Sequence, residues 1–87
     1  MLTLYIKTGC PFCIKVLEYL KQHAIDFEEK NIVNEGVAEE LIARGGKRQV
    51  PYLIDNERGV AMYESEDIIQ FLETYYAQND TREKTEE

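Results

Sequence analysis

The chain carries few of the residues on which several large classes of function depend. It has one histidine and two cysteines among 87 residues. A closed zinc site takes four ligands, and Cys10, Cys13 and His23 stop short of that number, so no metal is expected. A single histidine without a partner makes no hydrolytic Cys–His pair either, and His23 reads as a solvated helix-end residue. Two cysteines three apart are too few and too close to staple a secreted scaffold. Basic residues are scarce: ten Lys and Arg against seventeen Asp and Glu leave a formal charge of -7. That sign is wrong for gripping phosphate backbones, which argues against a nucleic-acid partner. No run of about 18 apolar residues occurs, and Met1 to Tyr5 has no basic leader, so neither a membrane span nor a secretory signal is expected. These absences together point to a soluble cytoplasmic protein.

What remains is ordinary globular material, with 44% apolar and 31% charged residues. The length suits one domain, expected over residues 1–77, followed by a polar, frayed tail at 78–87. Leu2 to Ile6 reads as a strand broken by Thr8-Gly9. Helical spacing of Val16, Leu17 and Leu20 then predicts a helix ending near His23. A weaker strand is placed within Asp26 to Val33. Asn34 is expected to cap a second helix striped by Val37, Leu41 and Ile42 and stopped by Gly45-Gly46. Pro51 to Ile54 and Val60 to Met62 predict a hairpin across the Asp55 to Gly59 turn. Ser65 is expected to cap a third helix facing inward through Ile68, Ile69, Leu72 and Tyr75 or Tyr76, with the tyrosines packing rather than binding. The order β-α-β-α-β-β-α implies an α/β fold, with a four-stranded mixed sheet and helices on both faces.

Cys10-Pro11-Phe12-Cys13 falls between the first strand and the first helix. Pro11 suits the first helical position, because its missing N–H would be unpaired there anyway, and this makes Cys10 the N-cap. Free backbone donors and the helix dipole then stabilise a Cys10 thiolate over a thiol. Cys13, one turn later, lies on the side of Val16 and Leu17, where burial keeps it neutral. The pattern assigns attack to Cys10 and resolution to Cys13. Bystander thiols or half of a zinc site are the bland alternatives.

Lys7-Thr8-Gly9-Cys10-Pro11-Phe12-Cys13 resembles the active-site segment of the dithiol glutaredoxins, with Phe12 where tyrosine is commoner. Gln49-Val50-Pro51 resembles that family's Thr-Val-Pro segment, whose proline is cis. The resemblance covers about residues 1–77 and implies a thioredoxin fold. It also implies glutathione contacts at Lys7, Phe12, Gln49, Val50 and Pro51, with the Val50 backbone pairing like an added strand. No tightly bound cofactor is implied, only glutathione as reducing co-substrate. The partners implied are glutathione and glutathionylated or disulfide-bonded client proteins, met by a monomer. The basic cluster Arg44, Lys47 and Arg48 could attract glutathione carboxylates or be a solvated helix-end loop.

After the last strand the chain departs from the glutaredoxin pattern, reading Ala61-Met62-Tyr63-Glu64-Ser65-Glu66-Asp67 where a Gly-Gly and an acidic pair are usual. This segment looks more like the N-terminal domain of glutathione transferases. That likeness implies that Glu64 and Ser65 hold the γ-glutamyl end, Ser65 at a helix N-terminus suited to a carboxylate. The residues after Tyr76 leave no room for a transferase's helical domain, so a free-standing transferase is not expected. The expected activity is glutathione-dependent reduction of glutathione mixed disulfides and protein disulfides through Cys10 and Cys13. The alternatives are a glutathione- or iron–sulfur-binding module without turnover, and a thioredoxin-like reductase recharged by a flavoprotein.

Overall fold

The computed structural model describes residues 2–77; the tail expected at 78–87 lies outside them. Strand β1 (Leu2–Ile6) leads to helix α1 (Pro11–Gln22), β2 (Phe27–Asn31), helix α2 (Val37–Gly45), the hairpin β3 (Tyr52–Asp55) and β4 (Val60–Met62), and helix α3 (Ser65–Leu72), which passes into a π-helical turn, Glu73–Ala77. The sheet order is β2-β1-β3-β4. Strand β1 runs parallel to β2 and antiparallel to β3, with Leu4 opposite both Glu29 and Leu53. The α/β fold with a four-stranded mixed sheet and three helices is as the sequence implies.

All five residues of β1 are buried, which explains why its alternation looks imperfect: a central strand covered on both faces has no wet side. Leu2, Leu4 and Ile6 join Val16 and Leu20 of α1 and Ile68, Phe71 and Leu72 of α3 in the larger core. Tyr5 points the other way, into a smaller core with Ile32, Leu41 and Tyr52 beneath α2. Helices α1 and α3 therefore share one face and α2 takes the other.

Several local expectations are corrected. Helix α2 is capped by Gly36 at φ 85°, not by Asn34. The Asn34 carbonyl instead accepts from the Val37 amide at 3.2 Å, so the chain spends one more turn leaving β2 before the helix begins. Ser65 is the first residue of α3 and Glu64 its N-cap, because the Glu64 carbonyl accepts the first helical bond, from the Ile68 amide at 2.8 Å. The inward face of α3 and the turn after it includes Ile68, Ile69, Leu72 and Tyr76, as expected, but Phe71 joins them and Tyr75 is exposed. Gly46, in the left-handed region at φ 86°, ends α2 by donating to the Ile42 carbonyl at 2.7 Å.

Candidate functional site

The loop from β1 to α1 is a tight turn. The Cys10 amide donates to the Lys7 carbonyl at 3.1 Å, and Gly9 holds φ 83°, the left-handed conformation that such a turn demands at its third residue. Thr8 is pinned from the side by the Asn31 Nδ2, which donates to its Oγ1 at 2.8 Å. Cys10 emerges as the N-cap of α1 with Pro11 behind it, and its sulfur accepts from the Cys13 amide at 3.4 Å. One otherwise unpaired donor of the helix end is thus aimed at the sulfur.

The two thiols have different surroundings. Cys10 is half-buried and Cys13 buried. Burial, with a hydrogen bond to Cys10 adding to it, pushes the Cys13 thiol up to about 12, while a backbone hydrogen bond at Lys7 acts in the opposite direction. At neutral pH Cys13 is a thiol.

Beside the helix end lies a cleft of about 510 Å³, within the range of small-molecule sites. Phe12 and Lys15 of α1 form one wall and Gln49, Val50 and Pro51 a second. The Val50–Pro51 peptide is cis. The third wall is Tyr63 to Asp67, where β4 ends and α3 begins. Gln49 Nε2 reaches across to Glu64 Oε2 at 3.5 Å. Ser65 is buried at the first turn of α3.

The fold thus brings Phe12, Gln49, Val50, Pro51, Glu64 and Ser65 to one cavity. Lys7, exposed in the preceding turn, does not line it, and neither do Cys10 and Cys13. Four lining residues escaped the sequence reading as site members: Lys15, Tyr63, Glu66 and Asp67. Lys15 sits three residues after Phe12, hence on the same helical face, a signal that the sequence does contain. Tyr63 was expected only to pack. It does stack on Tyr52 with ring centroids 4.4 Å apart, but its position at the end of β4 also exposes it to the cleft. Among the described residues no group of three or more His, Cys, Asp and Glu side chains is gathered as a metal cage would need. Nor is any described helix long and apolar enough to cross a membrane.

Known proteins share this fold. A protein of Synechocystis sp. named "Probable glutaredoxin ssr2061" is 30% identical over 59 residues, 66% of this chain and 67% of that relative. A glutathione S-transferase from the Antarctic clam Laternula elliptica superposes with a TM-score of 0.73 at 33% identity, covering 86% of this chain and 35% of the transferase. The glutaredoxin grx-1 of Archaeoglobus fulgidus superposes with a TM-score of 0.66 at 26% identity, covering 79% of this chain and 82% of that one. The chain spans about a third of the clam transferase's length. Residues 4–80 match the family described as glutathione S-transferase, N-terminal domain. With its thioredoxin-like sheet and a glutaredoxin among its relatives, the chain belongs to the glutathione S-transferase N-terminal domain family.

Proposed function

We propose that this protein is a glutathione-dependent thiol–disulfide oxidoreductase of glutaredoxin type, acting as a cytoplasmic monomer on glutathionylated and disulfide-bonded proteins. The observation that carries this reading is the inequality of the two cysteines: Cys10 caps a helix at an accessible turn, while Cys13 is buried and held as a thiol. A dithiol so divided has one sulfur fit to attack and one held in reserve.

In the first step the Cys10 thiolate attacks the glutathione sulfur of a mixed disulfide. A Cys10–glutathione disulfide forms, the old S–S bond breaks, and the client leaves as a thiolate that takes a proton from water. A second glutathione, as thiolate, then attacks the glutathionyl sulfur, giving oxidised glutathione and restoring Cys10. With a protein disulfide, Cys10 attacks one client sulfur and expels the other as a thiolate; Cys13 then loses its proton and attacks the Cys10 sulfur, breaking the Cys10–client bond and releasing the client as a dithiol. That step leaves a Cys10–Cys13 disulfide, which two glutathiones reduce.

The cleft supports glutathione as the thiol. The half-buried backbone at Val50, on the cleft wall, suits pairing with an extended tripeptide, Gln49 suits its glycyl end, and Phe12 and Pro51 flank the cysteinyl stem, while Lys7 lies outside the cleft. Ser65 and the first-turn amides of α3 suit the γ-glutamyl carboxylate, and Glu64 suits the ammonium. The Gln49–Glu64 contact would open to admit both ends.

The test is turnover of a glutathionylated peptide with glutathione, coupled to glutathione reductase. Wild type and Cys13→Ser should turn over and Cys10→Ser should not. Activity in Cys10→Ser, or none in a folded, reduced wild type, overturns the assignment.

A further inference from the structure

Tyr63 lines the cleft, yet its strongest contacts run away from it. Its hydroxyl donates to the Lys47 carbonyl at 3.2 Å, and the Lys47 ammonium lies 5.1 Å over its ring. Its other neighbour is the last residue of α2: a Cβ on Gly45 would collide with the Tyr63 hydroxyl and would lie 3.0 Å from Cζ of both Tyr52 and Tyr63. Gly45 needs no left-handed backbone; that requirement falls on Gly46. Alanine is the stronger helix former. Glycine at 45 is therefore explained by the tyrosine above it, not by the helix end.

The contact matters because both of its ends adjoin the cleft. Two residues after Lys47 comes Gln49, then Val50 and Pro51, the second wall. Directly after Tyr63 come Glu64 and Ser65, the third wall. One side chain thus bridges the starts of both walls.

We infer that Tyr63 is a positioning residue for ligand binding: seated between Gly45 and the Lys47 carbonyl, it sets the spacing between the Gln49–Pro51 edge and the Glu64–Ser65 end. This deepens the proposed function and rests on it for the identity of the ligand, glutathione. Tyr63 touches no reacting atom, so its effect falls on affinity and leaves the chemical step alone.

The experiment has two arms. Backbone order parameters of residues 47–50, measured by nuclear magnetic resonance without ligand, report the strut whatever the ligand is. Calorimetric binding of S-methylglutathione and the KM and kcat for a glutathionylated peptide report its use. Tyr63→Phe keeps the ring but removes the bond to Lys47. It should lower order parameters in this segment, weaken S-methylglutathione about fivefold and raise KM by a similar factor, with kcat changed less than about twofold. Gly45→Ala should weaken binding too and should not raise the melting temperature, although alanine favours helix. In a Tyr63→Leu background the Gly45→Ala penalty should shrink to what the 3.0 Å approach to Tyr52 Cζ costs, because the colliding hydroxyl is gone. Wild-type order parameters and affinity in both single variants overturn the inference, as does a Gly45→Ala penalty undiminished in the Leu background. A wild type that neither binds S-methylglutathione nor turns over overturns the proposed function, and the order parameters then decide the strut alone.

Discussion

The hydroxyl of Tyr76 donates a 2.8 Å hydrogen bond to Asp55 Oδ2 and so ties the π-helical turn after α3 to the β3–β4 hairpin. Asp55 is fully buried, and Arg58 reaches the same oxygen at 3.1 Å while lying 4.7 Å and 5.1 Å from the ring centroids of Tyr75 and Tyr76. The amides of Glu57 and Arg58 donate to Oδ1 at 3.0 Å and 3.3 Å. Burial alone would raise the Asp55 carboxyl, but the bonds from Tyr76, Arg58 and these amides outweigh it and hold the carboxyl below its usual range.

Asp55→Ala should therefore cost about 3 kcal/mol at neutral pH, measured by urea denaturation. A carboxyl depressed in the folded state stabilises above its unfolded value of about 3.9, and this contribution disappears as pH falls through the lower folded value. The gap between wild type and Asp55→Ala should narrow in acid over that window. A gap that stays constant with pH would show that packing, not charge, is what the substitution removes.

On the opposite face, the buried Tyr5 donates to Glu40 Oε2 at 2.6 Å, and Lys30 reaches that oxygen at 3.1 Å, joining β1, β2 and α2. Burial first, then the bond to Glu40, pushes the Tyr5 hydroxyl up to about 12 from 10.0. Its stabilisation is complete below about 10 and is lost as pH rises through the folded value. Glu40 is lowered by the Tyr5 bond and then by Lys30, so its contribution fades in acid. Tyr5→Phe should cost about 1 to 2 kcal/mol at pH 7 in thermal or urea melts, less at both extremes of pH. Its absorbance titration should also lack one phenolate that appears late in wild type.

Raised to about 12, the Cys13 thiol should resist iodoacetamide in the native reduced protein from pH 7 to 9, while Cys10 reacts. Peptide mass spectrometry after brief labelling gives the ratio directly. Equal labelling of both cysteines under native conditions would contradict the buried placement of Cys13.

Ser65→Ala should weaken S-methylglutathione about tenfold by calorimetry. Ser65 precedes the helix interior and is not the N-cap, so the stability cost should be small, below about 1 kcal/mol. A large loss of stability with unchanged affinity would return Ser65 to a structural role.

Much of the fold was legible in the chain. The Cys10-Pro11 pair announces a helix start, and Gly46 announces a helix end, because both rest on local backbone rules that distant residues do not override. The hairpin at Val60–Met62 falls where the turn residues place it. Asn34 and Ser65 misled for a shared reason: both are good capping types, yet the actual boundary depends on how much chain is needed to leave the preceding strand. The sequence left Tyr75 and Tyr76 as alternatives and omitted Phe71, and only packing against the core decides that Phe71 and Tyr76 turn inward.

Short stretches of sequence were enough to establish the order of elements, the helix-capping cysteine and the motifs that would surround glutathione, since each is written within a few consecutive residues. Which of those motifs meet was settled by the folded chain alone. It brought residues 49–51 and 63–67 to one cleft with Phe12, left Lys7 outside it, and set Tyr63 against Gly45. Such meetings arise from sheet order and side-chain packing across long stretches of chain, and no local pattern encodes them.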